Sequence, residues 1–156
     1  MRRLLIGLAA LGLSFTPLVM PNAMAAGVTA ESSTPGYRAE AVELKRDGSG
    51  GVTLTLKIYN DADKKGDLSC ELRAEGGEAC KQITGVYLID GVNKKRHLVM
   101  RDADGKCICT DTLSNVDPKG SVTVWAKFPE PPNEVSKMTV IVPLFLPLDG
   151  VPVTGP

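Results

Sequence analysis

Val52-Thr53-Leu54-Thr55-Leu56-Lys57-Ile58-Tyr59 places an apolar side chain at every second position, with Thr, Lys and Tyr between them. Successive side chains of an extended chain point to opposite faces, so a period of two predicts a strand with one face in a core and the other in water. Asp47-Gly48-Ser49-Gly50-Gly51 stands directly before it and is built from residues that tolerate positive φ. The extended-looking segment 39–45 is therefore expected to fold back on this strand as a hairpin.

Further strands follow from the same reasoning. Val122, Val124, Ala126 and Phe128 alternate with Thr123, Trp125 and Lys127, behind the turn signal Asp117-Pro118-Lys119-Gly120 and ahead of the breaker Glu130-Pro131-Pro132-Asn133. Residues 86–90 and 96–101 predict a second hairpin around Gly91-Val92-Asn93, with Asp102-Ala103-Asp104-Gly105 as the next turn. Residues 107–110 and 138–142 complete the set. Residues 60–82 mix charges with glycines and two cysteines and are expected to form a long surface excursion. Short strands separated by turns, no amphipathic helix and one Trp on a strand predict an all-β chain, an immunoglobulin-like β-sandwich of about seven strands. A small barrel is the alternative.

The start of the chain has a different character. Arg2 and Arg3 precede the apolar stretch 4–19, and Ala23-Met24-Ala25 supplies small residues for cleavage. This is the pattern of a secretory signal peptide over residues 1–25. Residues 26–36 show no apolar periodicity and are expected to be a flexible lead-in. Residues 37–156 are assigned to the sandwich, ending in an apolar, Pro-rich C-terminal arm. The expected setting is extracytoplasmic, secreted or at the cell envelope, with no stable membrane insertion after cleavage. Lys plus Arg and Asp plus Glu balance at 18 each, and loss of Arg2 and Arg3 leaves the mature chain at about −2. Nothing in that balance calls for nucleic acid as a partner.

Four cysteines in a small exported domain predict two disulfides, for which three connectivities exist. Cys70 and Cys80 bracket a Gly- and Glu-rich loop and are the favoured local pair. That leaves Cys107 and Cys109 to each other, or to cross-pairing with the loop. Residues i and i+2 on a strand share a face, so both arrangements are open. A strained and exposed Cys107-Ile108-Cys109 bridge would be a candidate redox element, and four thiolates a candidate metal site, although their spacing departs from zinc patterns.

Other constellations stop short of chemistry. Asp61-Ala62-Asp63-Lys64-Lys65-Gly66 begins like a calcium loop, but Lys65 and Leu72 occupy positions that need oxygen ligands. Asp102 and Asp104 lack further carboxylates at useful spacing. His97 is the single histidine and sits in Lys94-Lys95-Arg96-His97, which predicts a solvated strand end. No nucleophile elbow and no phosphate-binding glycine loop occur, so no catalytic residue, metal or cofactor is assigned. In the C-terminal arm, Pro143, Pro147 and Pro152 punctuate an apolar run and oppose a helix. Its apolar residues either pack on the sandwich or, as Leu144, Phe145, Leu146, Leu148 and Val151, form an extended surface for a protein partner.

Several runs together carry a resemblance: Val86-Tyr87-Leu88-Ile89-Asp90, the stretch 98–109 ending in Cys107-Ile108-Cys109, Val124-Trp125-Ala126-Lys127-Phe128-Pro129 with Pro131-Pro132, and Val140-Ile141-Val142-Pro143. Over residues 37–153 the chain resembles the exported immunoglobulin-like domain found at the N-terminus of actinobacterial proteins that continue into an outer-membrane-protein-A-like, peptidoglycan-binding domain. The resemblance implies a cell-envelope setting and a non-catalytic β-sandwich. The sequence ends at Pro156 without the wall-binding module, so peptidoglycan attachment is not implied. The expected function is that of a non-enzymatic module acting by contact with a protein of unknown identity. The alternative is a thiol-disulfide or metal-handling protein using the Cys-x-Cys pair.

Overall fold

The computed structural model describes residues 27–74 and 80–155. The signal-peptide reading therefore lies outside the described residues. The chain is all-β: eight strands, β1 (Val28–Glu31), β2 (Tyr37–Arg46), β3 (Gly51–Asn60), β4 (Tyr87–Asp90), β5 (Lys95–Leu98), β6 (Ser121–Pro129), β7 (Lys137–Ile141) and β8 (Leu148–Thr154), with no helix among the described residues. They form one curled sheet in the order β5-β4-β7-β8-β2-β3-β6, with β1 added on β2.

The β2–β3 hairpin forms as its sequence requires. Asp47 Oδ1 accepts the Ser49 and Gly51 amides and the Ser49 hydroxyl at 2.8–3.1 Å, closing the turn. Val52, Leu54, Leu56 and Ile58 are all fully buried, and β6 lies against the far edge of β3, burying Val124, Ala126 and Phe128. In β2 the simple alternation would turn Glu43 and Lys45 inward after Ala39 and Ala41. An extra residue at Val42 resets the phase, so that Leu44 and Arg46 face the core and Val42 stands in solvent. The bulge also marks a change of partner. Before it the edge of β2 carries β1, and after it β8 pairs in parallel with Leu44 and Lys45.

β8 joins the two halves of the sheet, since it pairs antiparallel with β7 before it reaches β2. An extra residue at Asp149–Gly150, with Gly150 at φ 72°, bends it. Pro152 fits because the neighbouring Val153 amide donates to Ser136 on the β7 side, so the missing Pro152 N–H faces the side where parallel pairing has not yet begun. The curl ends where the chain after β5 covers β6. The Met100 amide donates to Lys127 O at 2.8 Å, and Lys127 N donates to Ile108 O at 2.9 Å.

Three expectations are corrected, and of the two readings of the C-terminal arm the packed one is found. Residues 28–31 form β1 within the segment expected as a lead-in, since pairing with β2 satisfies their backbone and Val28 and Ala30 turn to the core, Ala30 buried and Val28 partly so. Residues 107–110 are joined to their neighbours by isolated bridges at Cys107 and Cys109 rather than forming a full strand. The segment 60–82 is not all surface, because Leu68 and Leu72 are buried. The C-terminal arm is built into the sheet: Leu148 and Val151 are core residues of β8, and Phe145 is buried with them. A turn holds this arm in place. Leu144, at φ 72°, has a carbonyl that accepts the Ser33 amide at 2.7 Å and the Ser32 and Ser33 hydroxyls at 3.1 and 3.0 Å, while Leu146 N donates to Glu31 O. Of the five proposed contact residues Leu146 alone is well exposed, Leu144 being half-buried.

Candidate functional site

The cysteines pair locally, Cys70 with Cys80 at an S–S distance of 2.00 Å and Cys107 with Cys109 at 2.12 Å. Their exposures reverse the expectation for a redox element. Cys107 and Cys109 are each 6% exposed, whereas Cys70 and Cys80 lie at the surface. No group of three or more His, Cys, Asp or Glu that could hold a metal occurs among the described residues. The calcium-like segment is spent on ion pairs and turn bonds. Asp61 meets Arg38 at 2.9 Å and Asp63 meets Lys119 at 2.9 Å, while fully buried Asn60 donates to the Lys64 and Val116 carbonyls and accepts the Ala62 amide. Asp102 likewise accepts the Asp104 and Lys106 amides of its own turn.

His97 is half-buried rather than solvated. Its Nδ1 lies 3.0 Å from Pro129 O, linking β5 to the end of β6, and Nε2 is enclosed without a hydrogen-bond partner among the described residues. On the neighbouring strand Asp90 is fully buried. Burial pushes its carboxyl up, but the Asn93 amide and side chain, the Val92 amide and the nearby His97 outweigh it and hold the group below its ordinary value. These bonds fix the β4–β5 turn.

A cleft of about 660 Å³ lies between the described part of the disulfide-tied loop and the β4–β5 hairpin. Glu71, Arg73 and Ala74 form the loop wall and Tyr87, Arg96 and Leu98 the hairpin wall, and Thr84, Gly85, Val86, Val99, Arg101 and Pro143 complete the lining. Each wall is anchored from below. Leu72, Ile83 and Val86 are buried in the core, the Gly85 amide donates to Leu72 O at 3.0 Å, and the Ala74 amide donates to the Thr84 hydroxyl at 3.0 Å. Asp67 caps the start of the loop. Hydrogen bonds from the Ser69 hydroxyl and amide hold its carboxyl below the usual range. Cys70–Cys80 then closes the loop, with Lys81 N donating to Ser69 O beside it.

Gly85 is where the walls meet. A Cβ there would stand 2.6 Å from Arg73 O and 2.9 Å from Pro143 Cγ, so a larger residue would push the arginine-bearing wall away. The arginines are held in place: Arg73 Nε donates to Cys70 O at 3.2 Å, Arg101 Nη1 donates to Gly105 O at 2.8 Å, and the Arg96 guanidinium lies 5.1 Å from the centre of the Tyr87 ring. Among the described residues its lining carries three guanidiniums and one carboxylate beside apolar Leu98, Val99 and Pro143.

No family model, no curated protein and no solved structure matches the chain. Geometry and chemistry therefore carry the functional argument. No motif in the sequence marks the cleft residues as a site. Arg96 lies in the basic patch around His97, but Arg73 and Arg101 are scattered along the chain, and only the hairpin and the disulfide bring the three together. No helix among the described residues is long and apolar enough to cross a membrane.

Proposed function

We propose that the chain is an exported, non-enzymatic binding module of immunoglobulin-like sandwich type that engages a protein partner at the cell envelope or outside the cell through the cleft between the Cys70–Cys80 loop and β4–β5. The cleft carries this reading: a preformed concavity, half polar and half apolar, mounted on a sheet whose core fixes both walls. Support for the sandwich comes from strand connectivity. Strands β1-β2-β3-β6 and β5-β4-β7-β8 form two runs that share a core and are joined where β8 turns from β7 to β2. The C-terminal arm is set aside as the contact surface, because Phe145, Leu148 and Val151 are committed to the core. A thiol-exchange role for Cys107 and Cys109 is disfavoured by their burial, which denies an attacking thiolate access.

The test is recovery of partners from envelope and culture fractions on the immobilised chain, followed by reconstitution with the purified partner. Leu98 is 55% exposed in the cleft and Val42 is 49% exposed on β2. Leu98→Asp is expected to abolish binding and Val42→Asp to leave it intact. Equal binding by both variants, or loss with Val42→Asp alone, overturns the assignment.

A further inference from the structure

We propose that the end of the sheet bearing the β4–β5 turn docks on the surface of an anionic lipid bilayer, with Val92 entering the headgroup layer and the cations around it meeting lipid phosphates. The proposal is independent of the cleft and requires no occupant there. Strand register gathers the cations. Lys94 lies in the turn, and Lys95 and Arg96 open β5. Ile89 pairs with Thr139, so Lys137 at the start of β7 comes level with the turn, and along β8 Pro152 pairs with Lys137 and Thr154 with Lys45. All five are exposed, and none makes an ion pair among the described residues. The carboxylates at this end are mostly spent, Asp47 on Lys127, Glu130 on Arg46 and Asp90 inside its own turn. Glu134, and Glu43 two residues back from Lys45 along β2, are left to set against the five cations. With 18 charges of each sign in the whole chain, the excess is local.

The turn is shaped for end-on contact. His97 stands against Pro129, the last residue of β6, so residues 91–96 reach past the end of that strand. Fully buried Asp90 accepts the Val92 and Asn93 amides and the Asn93 side chain, which fixes the turn with Val92 outward. At 65% Val92 is the most exposed large apolar residue described. Successive residues of a strand point to opposite faces, so Lys95 and Arg96 flank the hairpin on both sides. A protein docked on one face would meet one of them, whereas a surface approached tip-first meets both. Lysines on an edge strand also deter strand pairing, but that role leaves the outward Val92 unexplained. An apolar tip ringed by cations matches the two attractions of a bilayer surface, apolar burial below the headgroups and charge at their level.

The experiment sediments the oxidised protein recovered after export with vesicles of phosphatidylcholine alone and with vesicles of phosphatidylcholine and phosphatidylglycerol in equal parts. Each cation at an anionic surface contributes roughly fivefold, so the mixed vesicles are expected to bind on the order of a hundredfold tighter than the neutral ones. Affinity should fall as salt rises from about 50 to about 200 mM. Lys94 and Lys95 are exposed, so the double variant Lys94→Gln, Lys95→Gln keeps the fold and should weaken binding by roughly twentyfold. Val92→Ser should weaken it several-fold by removing the apolar contact. Lys64 and Lys65 follow the opposite end of β3, and Lys64→Gln, Lys65→Gln removes the same charge there with little expected effect. Equal binding to neutral vesicles, or a loss no greater with the Lys94, Lys95 variant than with the Lys64, Lys65 variant, overturns the proposal. Binding of soluble polyglutamate as tight as that of the mixed vesicles would assign the patch to an acidic protein and overturns the bilayer.

Discussion

Arg46 is a cation at the end of β2 with a side chain only 6% exposed, and its replacement tests how the end of β6 is secured. Its guanidinium donates to Glu130 Oε1 at 2.9 Å and to the carbonyls of Pro131, Pro132 and Val135 at 2.6, 3.1 and 3.1 Å. Two of these carbonyl contacts are buried, and Pro131 and Pro132 bring no amide of their own to this loop. Arg46→Ala strands the carbonyls and the Glu130 carboxylate together. An unmet buried acceptor costs about 1–3 kcal/mol, and removing one partner of a buried pair about 3–5 kcal/mol. Water reaching the partly exposed Glu130 offsets some of this, so the expected loss is about 3–4 kcal/mol. For a domain of this size that lowers Tm by roughly 10–15 °C. Urea unfolding of the oxidised chain should show a lower midpoint with an unchanged slope, because the surface exposed on unfolding is the same. Arg46→Lys should recover part of the loss but not all of it, since one ammonium cannot span four acceptors. A loss below about 1 kcal/mol for the Ala variant, or full recovery with Lys, would refute the claim that the fork is what holds the loop.

Three further outcomes follow from single sites. Asp47 is held well below the usual carboxylate range, first by Lys127 and then by the Ser49 hydroxyl and amide, so its contribution is present above its unfolded pKa and lost as pH falls through the folded one. Denaturation between about pH 5 and 2 should show a smaller acid-side decline for Asp47→Asn than for the parent, and an identical decline would refute the assignment. Graded reduction with alkylation and mass spectrometry should open the exposed Cys70–Cys80 before the buried Cys107–Cys109, and the reverse order would contradict the exposures. Lys94 sits at φ 55° in the β4–β5 turn, where Lys94→Gly should raise stability by about 0.5–1 kcal/mol in thermal unfolding, and a drop would refute the strain argument.

The strands that could be read in advance are those whose burial follows a period of two without interruption, β3 and β6 foremost. β2 is legible as an extended segment but its bulge is not, because Val42 reads as an ordinary apolar position until the register with β3 shows it to be extra. β8 was hidden by its prolines, which oppose helix and central strand alike, and its core residues Leu148 and Val151 are three apart because of the bend at Gly150. β1 is four residues long and offers only Val28, partly buried, and Ala30 to the core, too short a run for a pattern. In the excursion after β3, Leu68 and Leu72 stand four apart, the spacing of one helix face, but they reach the core from turns and no longer apolar period surrounds them. Arg46 shows the limit from the polar side, since a charged residue is read as surface unless its acceptors are known. The local disulfide at Cys70 was legible from spacing, but the cleft it walls was not.

The cleft and the oxidised state are linked by construction. Closing the short Cys70–Cys80 loop removes about 2–3 kcal/mol of unfolded-state entropy at 25 °C on the chain-entropy model. The buried residues Leu68, Leu72 and Ile83 hold the base of this loop through the core, so reduction is expected to leave the sheet folded and loosen the segment above, which carries Glu71 and Arg73. Because the bridge is at the surface, that loosening is expected to be the first structural change a reducing medium brings. On the proposed reading the cleft would be assembled where thiols oxidise and loosened where they do not, which ties the proposed site to the proposed export. The Cys70→Ser, Cys80→Ser double variant separates them from global stability. It should retain the cooperative unfolding of the sheet while losing cleft binding, and a variant that keeps full binding would show that the core alone positions the arginine wall.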